Sequence, residues 1–317
     1  MLLHDGARVS VYHKSIDVLS ELNKSQSECY EPSPRRMRIL DAGTGSGVWA
    51  IDLAKAFPNA AIDAVDYHAD VVEFAKKQIS LWPSLSDRIN VIQGDLTGYS
   101  GSEYDLIVTE LDGGVGNNEG EKRVFNNLRK LCSHRGTIIP DSIQININPV
   151  EVPDFIILGN YLQPSERKEK CRTDLYYLID GLQPEAELCS RKNFDGFKTK
   201  YEITEGIEKI LGFEISRKGK LTGFIAWFIQ ELINYPINSN CPFPIRFSNS
   251  TKDIPTSWGQ AYFPVEPFDV KHGDEILLNF AEVITPAGPI PHYDWSVVLN
   301  GKLIGQYSNE KNQERRR

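Results

Sequence analysis

No run of eighteen apolar residues occurs in the 317-residue chain, so nothing in it is long enough to cross a membrane as a helix. Cysteine is sparse: Cys29, Cys132, Cys171, Cys189 and Cys241 are scattered, odd in number and never in a CxxC pair. That pattern argues against both a disulfide framework and a zinc site. The six histidines include no HxxxH pair, and no metal is expected. Positive charge is also short, with 35 Lys and Arg against 43 Asp and Glu, a net charge of −8 and a pI near 5.4. A nucleic-acid-binding face needs clustered cations to neutralise phosphates, and the net charge argues against one; the terminal "NEKNQERRR" is a short basic tail. The opening "MLLHDGARVS" lacks the long apolar core of a secretory signal, so a cytoplasmic location is expected.

What is present is the composition of a globular protein: 40% hydrophobic residues, 25% charged, mean hydropathy −0.35. The length suits two moderate cores. From Arg38 onwards, short apolar runs alternate with helical spacing. "MRILDAG", "AAIDAVD", "INVIQGD", "YDLIVTE" and "GTIIP" read as strands. "GVWAIDLAKAF", "ADVVEFAKKQISLW" and "EKRVFNNLRKLCS" read as helices between them. Strand alternating with helix predicts a parallel, doubly wound α/β sheet for the first half.

The first crossover carries the most information. "DAGTGSG" puts Gly43, Gly45 and Gly47 between a strand and a helix, where backbone must approach a ligand closely. GxGxG entered through Asp41 differs from the GxGxxG of dinucleotide folds and from phosphate-loop patterns. The next strand ends in Asp66, about 20 residues on, where a carboxylate can accept both hydroxyls of a ribose. After the third strand, Asp95 can receive an adenine amine.

A second constellation lies in "ELDGGVGNNE", which begins at Glu110 and ends at Glu119. The bland reading is a solvated turn, because Gly, Asn and Asp are turn residues. Asp112 and Asn118 are read as turn-forming. Glu110, however, sits just past the strand "YDLIVTE", at the carboxyl edge of the sheet where ligands bind in doubly wound folds. Two carboxylates converging there suit one cation.

These motifs resemble two nested families. "ILDAGTGSG", Asp66 and "QGDL" (Asp95, Leu96) resemble the class I S-adenosylmethionine-dependent methyltransferases. The two-glutamate loop resembles the double-E hairpin of the protein arginine N-methyltransferases, its pattern most like the symmetric (type II) branch. "LLHDGARVSVYHKSI" resembles that family's amino-terminal helix, with Asp5, Arg8 and Tyr12 on its D-x-x-R-x-x-x-Y pattern. "LTGFIAWF" resembles a segment of its barrel, and "TSWGQAYFPVEPFDVKHGDEI" its Thr-His-Trp loop. Two departures stand out. Ser257 replaces the histidine, as in the symmetric branch. Leu2 aligns where type I enzymes have Met and the symmetric branch has Phe.

The resemblance implies a fold of α/β plus β: a Rossmann-like domain over 1–140, then a β-barrel over 141–317 with a dimerisation arm, for which 153–182 is the candidate. β-rich runs such as "SIQININPV" and "WSVVLNGKLIG", the latter with an Asn300-Gly301 hairpin turn, agree with that reading. The implied catalytic residues are Glu110 and Glu119. Arg8, Asp41, Gly43, Gly45, Gly47, Asp66, Asp95 and Leu96 would hold S-adenosyl-L-methionine, and S-adenosyl-L-homocysteine as product. Trp258, Ser257, Leu2 and Tyr12 would line the substrate site. Trp49 is read as packing under the cofactor loop. The implied substrate is arginine in a protein or peptide, or a small guanidine compound, and a homodimer is expected. Two rivals remain: a same-fold methyltransferase acting on another nucleophile, and an inactive cofactor-binding dimeric scaffold.

Overall fold

The computed structural model describes residues 6–29, 35–101, 103–111, 113, 120–152, 175–179, 182–189, 192–234, 244–250, 259–285 and 290–310. Five parallel strands open the fold: β1 (Arg38–Ala42), β2 (Ala61–Asp66), β3 (Ile89–Gln93), β4 (Tyr104–Thr109) and β5 (Cys132–Ile139). Their order is β3-β2-β1-β4-β5, so the direction of winding reverses between β1 and β4. Helices α2 (Val48–Ala56), α3 (Ala69–Ser80), the short α4 (Pro83–Ser86) and α5 (Glu121–Leu131) make the crossovers. β1 and β4 are buried along nearly their whole length because both faces of the sheet are covered. Val72, Ala75 and Ile79 of α3 recur at helical spacing on its buried face. The last helix is shorter than the periodic run suggests: the chain becomes extended at Cys132, inside the segment read as helix.

Helix α1 (Gly6–Cys29) precedes the sheet and packs on α2, burying Tyr12, Ile16 and Leu19. No helix among the described residues is long and apolar enough to cross a membrane.

Beyond Pro140 every strand pairing is antiparallel. β6 (Ser142–Val150), β7 (Tyr177–Ile179), β8 (Lys192–Lys198), β10 (Gly219–Ile233) and β12 (Gln260–Val270) form one sheet in the order β7-β12-β10-β6-β8, with β11 (Ile245–Ser248) also on β10. β9 (Ile207–Glu214), β13 (Glu275–Val283), β14 (His292–Leu299) and β15 (Lys302–Ser308) form the second. The two sheets make the barrel-type half of the fold around a shared aromatic core. There Phe263 meets Phe280 edge-on with ring centroids 4.9 Å apart, and Phe280 meets Phe194 at 4.8 Å. Asn300 and Gly301 both have positive φ, 47° and 83°, as a two-residue type I′ hairpin turn requires. Of the candidate arm, Tyr177–Ile179 is β7, at the edge of the barrel sheet, whereas residues 153–174 lie outside the described residues.

The two halves are joined through α5. Lys122 is 1% exposed, with its ammonium 2.8 Å from Asp195 of β8 and 3.0 Å from Glu282 of β13. Asn126 makes two hydrogen bonds to the backbone of Ile203, at 2.7 and 2.9 Å. Arg123 pairs with Glu205 at 2.9 Å. Removing one partner of a buried ion cluster leaves the others charged and unsolvated. Lys122→Ala is therefore expected to cost about 3–5 kcal/mol of stability, read as a lower urea midpoint at unchanged slope.

Candidate functional site

The crevice outside the carboxyl ends of β1 and β4 is where this topology binds ligands, because the crossovers on either side diverge there. On the β1 side the chain turns through Gly43, Gly45 and Gly47, all with positive φ of 83°, 54° and 81°. The three glycines differ in what they face. A Cβ on Gly43 would press on Leu111 and one on Gly47 on Ile79, each at 3.1 Å. On Gly45 it would meet nothing nearer than 4.0 Å, so this glycine keeps the open side of the turn clear. The amides of Gly43 and Thr44 both donate to Val65 O, at 2.8 and 2.9 Å, which ties the turn to the end of β2.

Asp66 closes that end. One carboxylate oxygen accepts from Gly45 N–H at 3.0 Å and the other from His68 N–H at 3.1 Å. The side chain is thus oriented beside the open glycine with lone pairs to spare. Asp41, last but one in β1, is 1% exposed and accepts the Thr44 hydroxyl. Burial pushes its carboxyl up to about 7. Hydrogen bonds from Thr44 and the Ala50 backbone oppose that shift, and nearby Asp66 adds to it. Asp95 is exposed and engaged locally, accepting from Thr97 N–H at 2.9 Å and its hydroxyl at 2.8 Å. Leu96 is buried beside it, its carbonyl accepting from Asn127 at 3.0 Å.

On the β4 side, Glu110 follows the last residue of the strand with its side chain 10% exposed. Arg8 of α1, 3% exposed, places Nε 2.9 Å from Glu110 Oε1, an ion pair whose N–H is not aligned for a hydrogen bond. Trp49 of α2 donates its indole N–H to Glu110 Oε2 at 2.8 Å. Tyr12, wholly buried, stacks on Trp49 with centroids 5.2 Å apart and donates to Thr109 O at 3.0 Å. It also reaches Gln230 of the barrel at 3.4 Å. α1, α2, β4 and β10 therefore meet around Glu110. Further along the loop, Gly113 N–H donates to Glu121 at 2.6 Å.

The structure brings together Arg8, Tyr12 and Glu110 on one side and Asp41, Gly43, Gly45, Gly47 and Asp66 on the other. Leu2, Glu119, Ser257 and Trp258 lie outside the described residues, as do Asp112 and Asn118. Trp49 is the residue the sequence reading missed, having been assigned to packing alone. Its signal was available, since a buried indole N–H needs an acceptor. Among the described residues no three His, Cys, Asp or Glu are grouped to hold a metal ion.

Comparison with known proteins agrees with this geometry at two levels. Residues 39–136 match the model of the methyltransferase domain family, and the glycine turn, Asp66 and Glu110 all fall inside the matched segment. The chain is 29% identical across 130 residues to malonyl-[acyl-carrier protein] O-methyltransferase 1 of Ilyobacter polytropus, covering 39% of this chain and 46% of that protein. It is 42% identical across 59 residues to the secondary metabolism regulator laeA of Monascus pilosus, covering 19% and 15%. The chain thus spans less than half the length of either relative. The whole fold is that of solved arginine methyltransferases. Protein arginine methyltransferase 10 of Arabidopsis thaliana superposes with a TM-score of 0.74 at 17% identity, over 98% of this chain and 96% of that one. The PRMT1 enzyme–prozyme heterotetrameric complex with AdoHcy from Trypanosoma brucei gives 0.73 at 15% identity, over 97% and 95%.

Asp41 generates a pH prediction. Between about pH 4 and pH 7 its folded form keeps a proton that the unfolded chain has released. This group therefore favours unfolding increasingly as pH rises through that window. Asp41→Asn should gain on the wild type in urea-unfolding stability across the same range, and an unchanged difference at pH 4.5, 6 and 7.5 would contradict the buried acid.

Proposed function

We propose that the chain is an S-adenosyl-L-methionine-dependent N-methyltransferase whose acceptor is a guanidinium, either arginine in a protein or peptide or a small guanidine compound. The observation that carries this reading is Glu110. It is a nearly buried carboxylate just past the carboxyl end of β4, held by Arg8 and Trp49. The turn fits an adenosyl cofactor, because Gly45 leaves its open side clear and Asp66 is already oriented to accept ribose hydroxyls. The bound cofactor would supply an electrophilic methyl group on its sulfonium.

The chain's own residues do the rest. A carboxylate has about four lone-pair sites, so Glu110 can accept from a guanidinium while keeping Arg8 and Trp49. Charge-assisted hydrogen bonds of this kind are the strongest available for a planar cation. Glu119 is read as the second arm of the clamp. Together the two hold the guanidinium plane and leave one terminal nitrogen facing the methyl. Holding that nitrogen in line contributes an effective-concentration advantage. The curated relatives named above match only 19% and 39% of the chain and select no acceptor. The likeness to arginine methyltransferases extends over the barrel as well, and this favours a guanidinium over another nucleophile. We extend the reading to a homodimer built by residues 153–182.

Three measurements test it. Labelled cofactor with a panel of free and peptidyl guanidines, read by mass spectrometry, should give a methylated guanidine. Glu110→Gln and Glu119→Gln should each lower the single-turnover rate at least about tenfold, since a charge-assisted bond is worth roughly 1.5–3 kcal/mol. Rates within about twofold of wild type, only about 0.4 kcal/mol, would return the loop to a solvated turn. Asp66→Ala should weaken calorimetric binding of S-adenosyl-L-homocysteine.

A further inference from the structure

We infer that Trp49 is the positioning residue for the Glu110 carboxylate, an inference that rests on the proposed role of Glu110 as a guanidinium clamp. The terminal torsion of a glutamate is soft, so a carboxylate is aimed only if both its oxygens are held. Here Arg8 lies against Oε1 at 2.9 Å and the Trp49 indole donates to Oε2 at 2.8 Å. The two contacts are chemically unequal. Arg8 balances the charge of the carboxylate in a largely buried place. Trp49 brings a donor with no charge and no acceptor, so it fixes direction without adding a second cation to repel an incoming guanidinium.

Trp49 is itself immobilised. It is 2% exposed, and its ring stacks on Tyr12 at 5.2 Å and meets His13 edge-on at 5.4 Å. Tyr12 then holds the backbone of Thr109, one residue before Glu110, by its hydroxyl. One stacked aromatic pair thus controls both the main chain and the side chain of the clamp. Trp49 is the second residue of α2, whose N-cap is Gly47 of the glycine turn. The carboxylate and the proposed cofactor loop are therefore anchored to the same first helical turn. Among the described residues, the charged and titratable groups near this pair include Arg8 beside the carboxylate and, against the indole, His13 with Asp52 at 3.4 Å.

The test is Trp49→Phe, which keeps an aromatic ring against Tyr12 and removes the N–H. Affinity for S-adenosyl-L-homocysteine should stay within about twofold, while kcat on a guanidine substrate falls roughly tenfold or more. The acid limb of the kcat/KM profile should also move to higher pH, because losing a donor to the ionised form raises the Glu110 pKa. A rate loss with an unmoved acid limb would reduce Trp49 to packing and overturn the inference, as would an unchanged kcat.

A readout independent of activity uses the wild-type protein labelled with ¹⁵N at its indoles. The Trp49 resonance, identified by its loss in Trp49→Phe, should titrate with pH and lose that component in Glu110→Gln. Any shift from His13 would persist in Glu110→Gln. A Trp49 resonance whose titration is the same in both proteins overturns the inference. Titration through Glu110 in a protein that methylates no guanidine would instead uphold the contact and count against the proposed acceptor.

Discussion

A carboxylate that is to grip a cationic substrate must stay charged while being taken largely out of water, and these demands conflict. Desolvation raises a carboxyl group's pKa, as it does at Asp41, which is pushed to about 7. Glu110 lies only a short distance along the same sheet edge, with its side chain 10% exposed, and it has what Asp41 lacks: a guanidinium against one oxygen. The two acids sit among different neighbours. One is surrounded by neutral donors and another acid, the other by a cation and an indole.

Much of the chain meets around Glu110 and the residues that hold it. Arg8 and Tyr12 come from α1, Trp49 from α2, Thr109 and Glu110 from β4 and Gln230 from the barrel strand β10. α1 is therefore part of the site's wall, burying Tyr12 completely against the body of the protein. The loop that follows Glu110 is held at its start. Leu111 packs under Gly43, and the amide of Gly113 is bound by buried Glu121 at the head of α5. The next residue, Lys122, is fixed in the barrel by Asp195 and Glu282. A displacement of one half against the other would thus be felt at the loop through two adjacent residues.

The glycine turn shows a similar economy. Gly43 and Gly47 are required by the protein's own packing as well as by their positive φ, since a Cβ at either would crowd a neighbouring side chain. Only Gly45 is left facing open space. The three residues look equivalent in "DAGTGSG", yet only the middle one is clear on the ligand side.

The sequence by itself determined the parallel sheet, because interior strands buried on both faces must be short continuous apolar runs, and "RILDA" and "YDLIVT" are. It determined the hairpin at Asn300-Gly301, since two consecutive positive φ angles suit few other residue pairs. It placed Glu110 at the binding edge from its position just beyond a strand. Local order along the chain is enough for each of these inferences. What only the tertiary structure decided is which distant groups meet. The indole of Trp49 and the guanidinium of Arg8 reach Glu110 across 61 and 102 positions of sequence, and Lys122 finds Glu282 across 160. Such pairings are set by the angle at which α1 crosses α2 and by how the barrel docks on α5. No periodicity encodes those angles, because they emerge from packing whole elements against one another. The folded chain alone therefore revealed which acceptor the Trp49 indole finds, the carboxylate of Glu110.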